Sequence, residues 1–554
     1  MIDDYSTSAG QMRSQTSPGP VGAENLPTSL AGELERLRYV LARQNGTTYW
    51  YDSAQIHMKD VYNVLDHGLI GDCIANDAAA FNALASAMPA GSTLYFPDTP
   101  GGCYLFGTTR VNITKEVTVK CGSWQTYLSW DTHNATDPGC ADSKTCNYGG
   151  LNIYDPDVTD GDYLSHVRVE GCHFKFGGTR GNTWVNYKAG LNIYQANNVY
   201  ITNNWFENTT AEVLGVGNFG SAVKGERGWI MQNLFSNFAQ VGINPNNFAM
   251  NVVGNRFKTG TVAIEFGRSG TIVRDNEAFD LTDAMIAIQA SNGSVEGNIC
   301  RTCYTNNPAS TDGVITVNER GSCVGTSALS ISSNILINTS APANAAGIVV
   351  FNSGSACSPP ERNSHINIQN NQVGTAFQTG IYVHQCDNCI ITGNDVQGAV
   401  TALAITTGSG LVMRSSFSEN RLNVAAGSSY IQDASVFADG NIVGWNYVNT
   451  ANGPLSAKWG SNLVSFVDLD TTPSVRGNFF WSVNNSGATS ITALDDIQPG
   501  APPVCLRMTN GNTTFVDGAG LQMAGGFNFT PAANGVVCFV NDGSITFEVT
   551  RSAN

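Results

Sequence analysis

Three carboxylates, Glu265, Asp280 and Asp283, fall at similar places in consecutive segments that alternate apolar and polar residues. In Val262-Ala263-Ile264-Glu265-Phe266 the apolar residues two apart share one side, so Glu265 projects from the other. Asp280-Leu281-Thr282-Asp283-Ala284-Met285 comes next, then Asp312-Gly313-Val314. Glu212 precedes Val213 two units earlier, with Gln240-Val241 between. Segments stacked about 4.8 Å apart bring carboxylates at matching outward positions close together. Two such groups can work on one bond. A glycosidic bond is cut with retention by carboxyls roughly 5–5.5 Å apart and with inversion at roughly 6.5–9.5 Å. One must keep its proton at neutral pH while the other stays ionised. The competing role for Asp280, Asp283 and Asp312 is to bond turn backbone, as Asp at a strand start commonly does.

Other residues offer different chemistry. Arg268, Glu226-Arg227 and Glu319-Arg320 flank the acidic segments and are either substrate contacts or solvated loop charges. Tyr382 and His384 alternate outward on one strand, with His365 upstream. They are the candidates for an elimination that needs a base and cations beside a uronic acid. Trp184, Tyr187, Tyr194, Trp205 and Trp229 cluster early and include candidates for stacking on sugar rings, whereas Phe206 and Phe235 read as core. Asp155, Asp157, Asp160 and Asp162 surround a Gly turn but lack EF-hand spacing, so an ordinary acidic turn is expected there and no metal. No cofactor is expected. Cys300-x-x-Cys303 and Cys386-x-x-Cys389 have zinc-like spacing, yet Cys300 holds an inward slot, so the reading is buried filler. Reduced thiols are the expectation for most of the 14 cysteines, with Cys140 and Cys146 the best placed to pair and Cys323, Cys357 and Cys386 stacked on successive units.

The elements that position these residues repeat. An apolar residue, two polar ones, Asn, any residue and an apolar residue recur as Ile201-Asn204-Phe206, Ile230-Asn233-Phe235, Val252-Asn255-Phe257 and Val295-Asn298-Cys300. The series continues through Ile331-Asn334-Leu336, Ile368-Asn371-Val373, Ile391-Asn394-Val396, Phe417-Asn420-Leu422 and Val443-Asn446-Val448. Val273-Asn276-Ala278 is a weaker copy, and Val169-Cys172-Phe174 has Cys in the Asn place. Steps of 21, 22, 23 and 26 residues are commonest, and longer ones are the same unit with a lengthened loop. A period this short, built from strands, predicts an all-β solenoid, a right-handed parallel β-helix. Each marker Asn is expected at a left-handed bend, bonded to its counterpart on the next coil.

Composition agrees. Gly numbers 59 and charged residues make up 13%, which suits a turn-dense β protein. A net charge of −16 disfavours nucleic acid as a partner and does not repel a neutral glycan. No apolar run reaches the roughly 18 residues of a membrane span, and the N-terminus lacks a secretory signal, so conventional secretion is not expected. Residues 1–26 read as a flexible arm. Residues 27–60 read as a helical neck with Leu30, Leu34, Leu37 and Leu41 at coiled-coil spacing. The span 61–150 reads as an N-terminal cap and first coils, in which Asn76 or Asp77 starts an Ala-rich helix that closes the solenoid's open end. The body is 151–454, and 455–554 forms a small C-terminal β module for trimerisation or glycan binding.

The acidic Gly loop from Gly71, the Ala-rich helix and the strand Ser92-Thr93-Leu94-Tyr95-Phe96-Pro97 resemble the entry to the pectate-lyase-like β-helix superfamily, with Cys73 and Asn76-Asp77 departing from its usual Gly-Asp-Gly and paired Asp. The stretch 26–52 is similar to the neck behind the virion-binding arm of phage tail proteins. The segments 471–492, 510–518 and 543–552 resemble a C-terminal module of phage tailspikes. One Glu and an Asp-x-x-Asp on the next coil also resemble the acidic trio of hydrolytic tailspikes. The resemblance implies a homotrimer anchored to a virion by its N-terminus, made in the host cytoplasm, that binds and hydrolyses capsule or O-antigen. The alternatives keep the fold but eliminate instead of hydrolysing, only adhere, or serve a bacterium as a polysaccharidase.

Overall fold

Side chains that alternate inward and outward, with a bend every few residues, wind the chain into a coil. The computed structural model describes residues 61–552 except 108, 110, 131–149, 157–163, 178–189, 210–211, 218–224, 247, 268, 304–312, 320–325, 340–344, 353–362, 385, 406–411, 425–441, 444–445, 451–468, 474, 476–479, 496 and 498–502. The arm 1–26 and the neck 27–60 lie outside the described residues. Each coil contributes one strand to each of three parallel sheets, as Phe248–Val253, Arg256–Gly260 and Val262–Phe266 do. The next coil repeats them as Ile272–Arg274, Glu277–Leu281 and Ile286–Ile288, each hydrogen-bonded to its predecessor. This is the expected parallel β-helix, with three strands per coil. The Ala-rich helix Ala78–Ala87 packs on the first coils, Phe81 lying 5.9 Å from Phe96 and 5.6 Å from Phe106. Asn76 Oδ1 accepts from the Ala78 amide, while the Asp77 carboxylate is taken by the amides of Ile70 and Leu105.

The marker Asn residues form one buried ladder at the corner between the first and second sheets. From Asn204 to Asn446 each side-chain amide donates to the Oδ1 of the next, at 2.8 to 3.0 Å. Each also donates to a backbone carbonyl, as Asn276 does to Val252 at 2.9 Å. Cys172 stands at the head of the column, where its amide donates to Asn204. The left-handed residue, however, is the one before the marker: Asn203, Gln232, Gly254, Asp275, Gly297 and Ser333 all have φ between 55° and 65°. The bend and the ladder are therefore two jobs on two adjacent residues. The marker stays out of the left-handed region and aims its amide along the coil axis.

Inside, like residues stack. Phe174, Phe206, Phe235 and Phe257 occupy one register column, with successive ring centroids 4.9, 5.0 and 4.8 Å apart. Shortening the middle of this stack by Phe235→Leu leaves a gap and removes two ring contacts. The expected cost is about 1–2 kcal/mol, read as a lowered denaturation midpoint with unchanged circular dichroism.

The cysteines depart from the free thiols expected. Disulfides join Cys73–Cys103, Cys121–Cys172, Cys300–Cys303, Cys386–Cys389 and Cys505–Cys538, and no described cysteine is free. Neighbouring coils supply the reason at Cys121 and Cys172, whose Cα atoms lie 4.9 Å apart, within bridging range. Cys386 is bridged to Cys389 on its own coil, and Cys140, Cys146, Cys323 and Cys357 lie outside the described residues. A second core follows the solenoid, in which Val483, Ile491, Leu506, Phe515 and Phe539 sit inside a four-stranded sheet and a two-stranded one. No helix among the described residues is long and apolar enough to cross a membrane.

Candidate active site on the third sheet

The third sheet presents one outward column. Register pairs Asn112 with Asn152, Asn152 with Asn192, and Asn192 with Gly215, and Gly215 with Asn244. Ile243 pairs with Ile264, which sets Asn244 beside Glu265, and Glu265 pairs with Ala287. Asn192 donates to Asn152 and Asn152 to Asn112, both at 3.1 Å, so the first strands form a closed amide row. The row stops at Leu214–Gly217, where Leu214 and Val216 enter the core and both outward slots are glycines. That strand offers no outward side chain; Gly215 is buried between its register partners Asn192 and Asn244, and Gly217 pairs with Tyr194.

Two of the five candidate acids lie beside this strand. Glu212 accepts a hydrogen bond from Asn244 Nδ2 at 2.8 Å, and Asn244 lies directly across from Glu265. Glu265 accepts from Gln289 Nε2 at 2.8 Å. Burial holds the Glu212 carboxyl up at about 7; the hydrogen bond from Asn244 opposes the rise and the charge of Glu265 adds to it. Burial and then the Glu212 charge also push the Tyr194 phenol up, so it stays protonated, and its hydroxyl donates to Asn192 at 2.6 Å. One carboxyl pushed up to about 7 therefore lies near a second, Glu265, on the same face. Glu212, Glu265, Ala287 and Gln289 are partly exposed, whereas Asn152 and Asn192 are fully buried.

The other candidates fall elsewhere. Asp280 is a correction, because it belongs to the second sheet. It occupies the left-handed bend column of Asn208, Asn237, Thr259 and Thr302 at φ 52°, and it is exposed. A coil has three strands, and Asp280 lies in the middle one, so it does not share a face with Glu265. Asp283 stands four residues before Ala287, the register partner of Glu265, on the order of 10 Å along the chain. Its Oδ1 accepts from the Ala284 amide at 2.8 Å, the turn-bonding role weighed for it. Asp312 and Arg268 lie outside the described residues, as does the Arg227 side chain, although its backbone pairs with Asn198 in the first sheet.

Tyr382 and His384 do point from the third sheet, with Tyr382 in the Glu265 column four strands further on. Their rings are 6.2 Å apart, and His384 lies 4.8 Å from Phe351. Burial lowers the His384 pKa, and its Nδ1 has no hydrogen-bond partner among the described residues. At about 4.8 Å per strand, this pair is roughly 19 Å from Glu265. Asn244 and Gln289 were missed by sequence reasoning, whereas Tyr194 was named for sugar stacking and instead donates to Asn192. The signal was available in the matching slots of Asn112, Asn152 and Asn192, which mark this column as polar outside the Asn ladder. No group of three or more His, Cys, Asp or Glu among the described residues is placed to hold a metal ion, and Asp157, Asp160 and Asp162 lie outside them.

The sequence matches no family model and no curated protein. Solved structures similar to it in backbone course include the A-module of Azotobacter vinelandii mannuronan C-5 epimerase AlgE6, at 13% identity and TM-score 0.44, over 72% of this chain and 97% of that one. Tailspike protein 3 of bacteriophage CBA120 is similar at 13% identity and TM-score 0.44, over 83% and 77%. The Streptococcus pneumoniae surface protein and adhesin PfbA is similar at 13% and 0.44, over 72% and 99%. At these identities no substrate and no residue's role passes from them to this chain.

Proposed function

We propose that the chain is a polysaccharide depolymerase that hydrolyses glycosidic bonds at the third sheet, with Glu212 as the general acid and Glu265 as its ionised partner. The observation that carries this reading is the placement of the pair: Asn244, the register neighbour of Glu265, donates to Glu212 at 2.8 Å beside the glycine strand, and burial pushes Glu212 up to about 7. Glu212 donates its proton to the leaving oxygen as the bond breaks. Glu265 either attacks the sugar carbon or takes a proton from the water that does. Asn244 and Gln289 hold the two carboxyls and offer polar contacts to sugar hydroxyls. The resemblance of both chain ends to phage tailspikes supports the wider assignment: a homotrimer on a virion tail, acting on host capsule or O-antigen.

The test is incubation with a panel of purified capsules and lipopolysaccharides, reading reducing ends and ultraviolet absorbance together. Hydrolysis gives reducing ends without absorbance. The expected pH profile follows from the sign of the shift. Glu212 works protonated, so kcat declines as pH rises through about 7. A rate that is flat from pH 6 to 9 removes Glu212 from the acid role. The second reading is elimination at the other end of the face, favoured by the neutral His384 beside Tyr382. Rising absorbance, abolished by His384→Ala, selects it.

A further inference from the structure

We propose a second, non-cleaving carbohydrate site under the corner between the first and second sheets, built on Trp124. It rests on the glycan-binding part of the reading above and not on the cleavage chemistry. Later coils cross this corner in two residues, Gly171-Cys172 and Asn203-Asn204, but the coil before them takes five, 122–126. The extra length arches over its neighbours. Trp124 Nε1 donates to the Asn203 carbonyl at 3.0 Å, two coils away, and the Trp124 carbonyl meets His173 Nδ1 at 3.2 Å. His173 in turn stacks on Trp205 with centroids 4.0 Å apart and planes within 4°.

Under the arch is a cavity of about 480 Å³, lined by Lys120, Ser123, Trp124, Glu170, Thr202 and Asn203. That volume lies within the range of about 300–1,000 Å³ for small-ligand sites. Trp124 is fixed at its ring nitrogen yet 36% exposed as a residue, a placement that a mere clip between coils does not need. A held indole face is suited to stack on the C–H face of a pyranose. Around it, Glu170 bonds both Lys120 at 3.3 Å and Arg168 at 2.6 Å, and Ser123 Oγ donates to Asp98 at 2.9 Å. Two cations and two carboxylates cancel, which fits a neutral, hydroxyl-rich sugar better than a uronate. The cavity spans the coil that carries Glu212 but opens on another side of the solenoid. It can therefore hold one stretch of a polymer while the third sheet works on another, raising the local concentration of cleavable bonds.

The experiment uses the full chain carrying Glu212→Gln, which does not degrade its probe, and an immobilised panel of purified capsular and O-polysaccharides. Adding Trp124→Ala, or plugging the cavity with Thr202→Phe, is expected to weaken retention by about tenfold, while Trp124→Phe keeps most of it. In the otherwise wild-type chain the same changes raise KM for long polymer and leave kcat on short released oligosaccharides unchanged. Thr202→Phe acts from the outer surface, so it tests the cavity even if Trp124→Ala disturbs the corner. Full retention by the Thr202→Phe chain overturns this inference and leaves the depolymerase standing. If the Glu212→Gln chain retains no glycan at all, the functional reading falls and this site with it.

Discussion

Replacing Glu212 by Gln is expected to lower kcat on polymer by on the order of a hundred- to ten-thousand-fold while leaving glycan binding intact. Gln keeps the length of the side chain and an oxygen for Asn244 to donate to, but it has no proton to give to a leaving oxygen. Glu265→Gln should act alike, with loss of the charge that helps raise Glu212. Asp280→Asn is the control: exposed, at a left-handed bend that Asn tolerates, and on the second sheet, it should change kcat less than twofold or so. The same Glu212→Gln chain carries a stability signature. A carboxyl raised from 4.5 to about 7 by burial makes the native state lose stability as pH climbs between those values, because the unfolded chain releases its proton first. Glu212→Gln lacks that loss, so its stability relative to wild type rises across that window and levels off above it. A wild type that outlasts the variant by more at pH 8 than at pH 5 would contradict a raised pKa.

Asn276→Ala is expected to be the costliest single change in the frame, about 3–5 kcal/mol. It removes the side-chain donor to the Val252 carbonyl and to Asn298 Oδ1, and the acceptor of the Asn255 backbone and side-chain amides, four buried bonds at the centre of the ladder. Asn446 is the last marker of the series in the sequence, so Asn446→Ala breaks the ladder at its end and not in its middle and should cost clearly less. Denaturant midpoints of the two variants decide it. Equal midpoints would mean that the ladder follows the fold without stabilising it.

The fold was legible because its bonding device is written in side chains. An Asn at every coil advertises the ladder, and residues two apart advertise strands. The left-handed residue before it was not legible, since Asn203, Gln232, Gly254, Asp275 and Ser333 share a backbone angle and no chemistry. The site was half legible for a related reason. Glu265 sits inside Val262–Phe266, where alternation fixes its direction, and Glu212 abuts an equally regular strand. Asp280 and Asp283 sit where the chain turns from the second sheet to the third, and alternation carries no information across a bend. The pairing of thiols was hidden too, because Cys121 and Cys172 become neighbours only through the winding of a coil between them.

The Asn ladder joins residues 21 apart in sequence as it joins residues 37 apart: Asn255 to Asn276 at 3.0 Å, Asn334 to Asn371 at 2.9 Å. The frame thus registers only whether a coil closes, and is blind to how much chain the coil carries before closing. The excursions between strands can therefore be lengthened, trimmed or exchanged while the ladder keeps its bonds. For the engineer the same blindness makes each coil an independent cassette, into which a foreign recognition loop can be spliced at the exit of the third sheet.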